Sequence, residues 1–218
     1  MDYVLNIIPQ MMDGCLVSFQ VFIITIVLSI PLGILLSLGR VSGIKPLQAL
    51  IGGYVWILRG SPLMLQIFFV YFVLPSVGIR LPDFESAIVA FVLNYAAYFC
   101  EIFRAGIQSL DKGQMEAARS LGMSYMQAMR TIILPQAFRR MLPALGNNAI
   151  AILKDSSLIS AIGLAELAYA ARTVAGASAR YWEPYITISC VYWVMTLLLA
   201  WGIRRLEARL GRGDNGIG

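Results

Sequence analysis

At 218 residues, 59% hydrophobic and 13% charged, with a mean hydropathy of +0.74, this chain departs far from the water-soluble average of about 25% charged residues. That composition excludes a water-soluble core and leaves no length for a separate soluble domain. The net charge of +5 does not make a nucleic-acid surface, because its basic residues stand beside apolar runs rather than in a patch interleaved with exposed aromatics.

Charge-poor runs of about 20 residues, the length that crosses a hydrocarbon core, occur at 16–38, 61–79, 87–107, 144–164 and 184–203. They predict an all-α integral membrane protein of five spans, a single transmembrane domain over 1–218. The first run follows Asp2 and Asp13, where a signal peptide carries basic residues, and is too long for a signal core, so it is expected to be retained. Arg40, Lys45 and Arg59 separate it from the second, which Arg59-Gly60-Ser61-Pro62 opens; Pro62 suits a first helical turn, and a bend is expected there. On the third span Asn94, Tyr98 and Glu101 recur at intervals of four and three, a polar stripe on one helix face, with Arg104 three residues on. Charges at the centre of a bilayer helix cost about 2.5 to 3.5 kcal/mol each, so the stripe is expected to face protein or a water-filled path.

Residues 109–140 form a polar loop. Asp111 and Gln114 have the spacing of a helix N-cap and its reciprocal partner, Gly122 is placed to end that helix in a left-handed turn, and Ser124 with Gln127 repeats the cap. The expected shape is a helix, a glycine corner and a second helix stopped at Pro135, a compact knuckle on the water side. It serves either to dock a partner or merely to cap the bundle, with Glu116 pairing to Arg119.

On the fourth span Asn148, Asp155 and Glu166 stand seven and eleven residues apart, which at about 3.6 residues per turn returns them nearly to one face. If both stripes face inward, they line one cavity in which carboxylates hold an ammonium group and Arg104 holds a carboxylate through its planar fork, an arrangement suited to a free amino acid. Asn94, Glu101, Arg104, Asp155 and Glu166 are thus the candidate substrate contacts. Other readings stand beside this one. Glu101 and Arg104 neutralise each other, Arg104 snorkels to the interface, Asp155 is a structural partner, and Glu166 is a gate residue or an exposed interfacial acid.

Basic residues in short loops stay on the cytoplasmic side, which assigns Arg40, Lys45, Arg59, Lys112, Arg119, Arg130, Arg139, Arg140, Arg204, Arg205, Arg209 and Arg212 to the inside. The N-terminus is then outside and the C-terminus cytoplasmic. Tyr54, Trp56, Tyr181 and Trp182 suit the interfacial belt, Cys15, Cys100 and Cys190 have no metal-ligand spacing, and 211–218 reads as a frayed tail. The chain has no histidine, which removes the commonest general base, and no GxxxxGK[ST] phosphate cradle. No catalysis is expected of it, and any energy for transport must come from another protein.

Glu116-Ala117-Ala118, Gly122 and Ile132-Ile133-Leu134-Pro135 resemble the EAA loop of permease subunits of bacterial ATP-binding-cassette importers. Arg59-Gly60-Ser61-Pro62, the segment from Glu101 to Ile107, and Lys154-Asp155-Ser156-Ser157-Leu158 resemble the polar amino acid branch of that family. The similarity covers nearly the whole chain, thinning over the first ten or so residues and after Arg209. It implies a type I importer permease fold in a bacterial inner membrane, with Glu116, Ala117, Ala118, Leu121, Gly122 and Pro135 coupling to the ATPase. It also implies as partners two ATPase subunits that hold ATP and Mg, an extracytoplasmic amino-acid-binding protein, and a second permease, identical or similar. No cofactor is expected in this chain. Three intramembrane carboxylates against one arginine favour a polar zwitterionic or cationic amino acid. The rivals are an ion-gradient transporter with Glu101, Asp155 and Glu166 as proton carriers, and a membrane enzyme with paired carboxylates, against which the missing histidine counts.

Overall fold

The computed structural model describes residues 2–211 as helices and the turns between them, with no strand among the described residues. The side chain of Asp2, the basic Arg212 and the terminal tail beyond 211 lie outside the described residues.

Helix α1, Asp2–Val41, is apolar nearly all round, but its inward side is built of small hydroxyl residues. Ser18, Thr25, Ser29 and Ser37 are buried, and Ser29 and Ser37 donate to the carbonyls of Thr25 and Ile34 one turn back. Those two hydroxyls are satisfied within the helix, while the buried Thr25 Oγ1 has no partner among the described residues. Between them Gly33 lies so close to the next long helix that a Cβ there would come within 3.1 Å of the Cys100 nitrogen and 3.2 Å of the Ala96 carbonyl oxygen. Small residues are what permit backbones to meet in a membrane, where apolar side chains gain little by leaving lipid and association rests on packing. The other side of α1 leaves Leu16, Phe19, Val27, Leu35 and Leu38 exposed, as suits a lipid-facing surface.

The helix α1 meets is the third long one in space and the centre of the bundle. Before it come α2, Lys45–Gly60, and α3, Leu63–Phe68, which runs on through a π turn, Phe69–Val73, and a 3-10 turn, Leu74–Val77. The segment 45–60, expected between two spans, is a helix: Leu47, Ile51, Val55 and Leu58 recur at intervals of four, four and three, and this face packs beside Ala97 and Cys100. The bend expected at Pro62 is there, and it is sharp: α2 and the segment after it meet at 107°.

Helix α4, Asp83–Gln108, buries Phe91, Tyr95, Phe99 and Phe103, which descend one side at intervals of four into the principal core with Val21, Phe22, Ile67 and Ile152. Asp83 and Glu85 in its first turn complement the positive end of the helix dipole. After it come α5, Lys112–Ser120, and α6, Tyr125–Ala128, followed by a π turn, Met129–Ile133, that leads without a break into α7, Leu134–Asp155. Pro135 therefore does not stop a helix. It sits in the first turn of α7, where the missing N–H would have no regular partner, and the wider π turn before it absorbs the ring.

The stretch 144–164 is not one helix. Helix α7 ends at Asp155 and a 3-10 segment, Ser156–Ile162, takes over before the left-handed Gly163. Ser156, Ser157 and Ser160 each donate from Oγ to the carbonyl three residues back in this tighter stretch, so its hydroxyls are satisfied locally. The last elements are α8, Leu167–Ser178, packed between α1 and its neighbour, and α9, Trp182–Gly211, exposed along most of its length. Three of the described helices are long and apolar enough to cross a membrane, over Ile7–Val41, Asp83–Gln108 and Trp182–Leu210; the bent pair α2 and α3 adds a fourth when counted as one.

Candidate functional site

The polar loop folds as a corner. Asp111 caps α5 by accepting from the Gly113 nitrogen at 2.8 Å, and Gln114, expected to turn back on it, instead exchanges hydrogen bonds with Gln136 of α7 at 2.9 and 3.1 Å. The amide pair ties the corner to α7, while Arg140 reaches the Ser109 carbonyl at the end of α4. At the far end of α5 the Met123 nitrogen donates to Ala118 and the Gly122 nitrogen to Arg119, a Schellman ending that requires the positive φ of +84° at Gly122. Ser124 and Gln127 then form the expected capping box. Ala118 is buried under the corner, Glu116 and Ala117 are exposed, and Leu121 is 84% exposed at the apex with Tyr125 and Met126 beside it. Pro135 stands at the base, in α7, rather than on the corner. No ion pair of Glu116 occurs among the described residues, so the Arg119 pairing does not form.

The intramembrane charges are not gathered into one cavity. Glu101 receives Arg104 as a fork, with Nε 3.1 Å from both carboxylate oxygens, and has Arg40 at 3.6 Å and Arg59 at 3.9 Å as well. Arg104 spends its remaining contact on Gln108 at 2.6 Å, so it is not free to hold a substrate carboxylate in this arrangement. A cavity of about 560 Å³ opens beside this group, with Arg59, Tyr98, Glu101, Ser109, Arg140 and Asn148 among its lining. Asn94, Arg104, Asp155 and Glu166 do not line it.

Asn94 belongs to the bend. Its amide donates to the Leu58 carbonyl at 3.1 Å and to Gln66 Oε1 at 3.0 Å, while Gln66 donates to Leu58, to the Ser61 carbonyl and to Ser61 Oγ. These amides satisfy carbonyls that the break at Gly60 and Pro62 leaves without helical partners, as irregular backbone at membrane depth requires. Gln66 escaped the sequence reading, although it is the one amide in the 61–79 run. Gln66→Leu is expected to destabilise the solubilised protein by about 1 kcal/mol, the cost of leaving the part-buried Ser61 carbonyl and one Asn94 N–H without their partner, and to be non-additive with Asn94→Leu in a double-mutant cycle of thermal unfolding.

Glu166 and Asp155 do not share a helix face, because the helix between them ends. Glu166 is fully buried and is the N-cap of α8, accepting from the nitrogens of Ala168 and Tyr169 at 2.8 Å, from Tyr192 Oη at 2.8 Å and from Ser18 Oγ at 3.4 Å. It joins α1, α8 and α9 and is therefore not an exposed interfacial acid. Glu166→Leu is expected to lower stability by about 2 to 3 kcal/mol, a lost cap plus stranded donors, read as a fall in melting temperature that Glu166→Gln restores only in part, because its NH2 cannot accept from the second of the two capped backbone nitrogens. Asp155 is different. Its carboxylate accepts one hydrogen bond, from Tyr95 Oη at 2.6 Å, and no cation lies within ion-pair range among the described residues. It stands two turns along α7 from Asn148, about 10 Å beyond the cavity lining, and Tyr95 is one turn along α4 from Tyr98.

A helical bundle with apolar segments long enough to cross a membrane, a charged cavity and an exposed corner is the architecture of a membrane permease. Residues 11–212 match the family described as the binding-protein-dependent transport system inner membrane component, and the chain belongs to it. It is the permease component of an amino acid ABC importer, a transport subunit not itself an enzyme, and membership implies an ATPase, a substrate-binding protein and a second permease as partners. The chain is 37% identical over 208 residues to the arginine transport system permease protein ArtQ of Bacillus subtilis strain 168, covering 95% of each. It is 40% identical over 199 residues to the probable glutamine ABC transporter permease protein GlnM of the same organism, covering 91% of this chain and 92% of that one. Among solved structures it is similar to an amino acid ABC transporter crystallised with histidines, at 39% identity and a TM-score of 0.87 over 92% of this chain and 94% of the other.

Proposed function

We propose that this chain forms half of the path in an ATP-driven importer of polar or cationic amino acids, with the corner around Gly122 as its contact with the ATPase. Its partners are then two ATPase subunits that hold ATP and Mg, an extracytoplasmic amino-acid-binding protein and a second permease, identical or similar. The path crosses the inner membrane five times, by α1, by the bent pair α2 and α3, by α4, by α7 with its 3-10 extension, and by α9. The basic residues at the ends of α1, α2 and α9 and on the corner face the cytoplasm, with the N-terminus outside.

The observation that carries the substrate class is the difference among the three carboxylates. Glu101 is saturated by arginines and Glu166 by four donors, while Asp155 has one neutral partner and spare acceptor capacity. Asp155 is the group to hold a substrate ammonium, with Tyr95 as the hydroxyl it shares. Glu101 with Arg104, Glu166 and Asn94 act as internal ties rather than as substrate contacts. The ion-gradient rival asks for carboxylates that change protonation during transport, and two of the three are already fully engaged.

Reconstitution of this chain with its ATPase and binding protein in proteoliposomes, with single L-amino acids outside, tests the reading. ATP-dependent uptake of arginine, histidine, lysine or glutamine is expected. Uptake that follows an imposed proton gradient without ATP overturns it.

A further inference from the structure

A second cavity, of about 520 Å³, lies between the end of α1, the bend after α2, and α4, and includes Arg40, Gly52, Trp56, Arg59, Gly60 and Glu101 in its lining. Three guanidinium groups, from Arg40, Arg59 and Arg104, converge here on one carboxylate, so the cluster carries two uncompensated positive charges. They are not equivalent. Arg104 takes the carboxylate as a fork, leaving Arg40 and Arg59 at 3.6 and 3.9 Å, beyond hydrogen-bond range. Arg40 has one hydrogen bond, from Nη1 to the Gln48 carbonyl at 3.2 Å, and its buried Nε has no acceptor. The Arg40 guanidinium thus carries donor capacity that the described residues leave unused.

The surroundings suggest the source of an anion that would use it. Helix α2 presents Leu50, Trp56 and Ile57 as exposed apolar residues on the side away from α4, with Lys45 in its first turn. An amphipathic helix with an exposed tryptophan and neighbouring basic residues suits the headgroup level of a bilayer. Gly60 leaves the wall open, since a Cβ there would meet nothing within 4 Å, whereas Gly52 lets the Arg40 guanidinium lie directly on the helix, its Nη1 2.7 Å from where a Cβ would stand. Basic pockets between membrane helices on the cytoplasmic side are suited to anionic headgroups.

We propose that this cavity binds a phosphate-bearing anion through Arg40 and Arg59, supplied by an anionic lipid of the cytoplasmic leaflet whose chains lie along Trp56 and Leu50. The choice of leaflet rests on the orientation proposed above; the binding assay below does not, so the two can fail separately. The purified importer complex in zwitterionic detergent is titrated with short-chain phosphatidylglycerol, short-chain phosphatidylcholine or inorganic phosphate, and binding is followed by native mass spectrometry and thermal shift. Phosphatidylglycerol is expected to bind and raise the melting temperature, with phosphatidylcholine inert and inorganic phosphate at least about tenfold weaker. Arg40→Gln and Arg59→Gln are each expected to weaken phosphatidylglycerol about tenfold, in keeping with one charge-assisted contact. Should Arg40→Gln fail to fold, Arg59→Gln and Trp56→Ala carry the test, the second weakening the lipid but not inorganic phosphate. Equal binding of both lipids, or phosphatidylglycerol binding unchanged in the arginine variants that fold, overturns the site; inorganic phosphate binding as tightly as the lipid overturns the lipid source.

Discussion

Asp155→Asn is expected to raise the apparent KM for a cationic or zwitterionic amino acid about 10- to 100-fold in reconstituted uptake, with the complex assembled and its basal ATP hydrolysis retained. The magnitude follows from the chemistry of the group. A carboxylate holding an ammonium makes a charge-assisted hydrogen bond of about 1.5 to 3 kcal/mol, and about 1.4 kcal/mol is tenfold in affinity. The amide keeps one acceptor oxygen for Tyr95 Oη, so the tie between α4 and α7 survives while the charge is lost. Tyr95→Phe removes the other half of the pair and is expected to act more weakly, since the carboxylate remains. The contrast with Glu101 and Glu166 makes the result diagnostic. Neutralising Glu101 releases three arginines into one another's field and neutralising Glu166 loosens a cap, so both should appear first as lost stability rather than as raised KM. An Asp155→Asn protein with unchanged KM for every amino acid would show that the ammonium is held elsewhere.

The long helices were legible because their signal is long. Apolar runs covering most of α1, α4 and α9 need no knowledge of neighbours, and the corner could be read from Ser124, Gln127 and Gly122 because caps are made by residues three or four apart. What failed needed longer reach or finer geometry. Helix α2 was hidden by the basic residues at its two ends, although its apolar interval is helical. The shared face of Asp155 and Glu166 rested on an unbroken helix, but the 3-10 segment Ser156–Ile162 and the left-handed Gly163 lie between them. Gln114 has a local choice, the Asp111 cap, and takes Gln136 instead, 22 residues away. The tie between Glu166, Ser18 and Tyr192 spans 148 and 26 residues, and no spacing rule reaches that far. The convergence of Arg40, Arg59 and Arg104 on Glu101 is of the same kind, since it depends on how three helices pack.

Leu121→Glu is expected to abolish substrate-stimulated ATP hydrolysis and uptake while leaving the permease folded, inserted and paired. Leu121 is 84% exposed at the apex of the corner, flanked by Tyr125 and Met126, so a charge there costs this chain almost nothing. If the apex seats in a cleft of the ATPase, the leucine becomes buried, and a carboxylate in its place must be desolvated without a partner. Apolar anchors at the centre of an interface contribute at least about 2 kcal/mol when truncated, and an unpaired buried charge adds more, enough to lower ATPase affinity by a factor of 30 or greater. Gly122→Ala separates shape from chemistry. The positive φ of +84° would cost alanine about 1 to 2 kcal/mol, so the corner should fray and coupling weaken with the apex leucine still present. Co-purification of the ATPase with each variant, read beside stimulated hydrolysis, distinguishes the cases: Leu121→Glu should lose both, and Gly122→Ala should keep much of the first and lose part of the second. If Leu121→Glu retained full co-purification and full stimulation, the corner would be a cap on the bundle, and the lever that turns ATP hydrolysis into movement would have to be sought on another cytoplasmic surface.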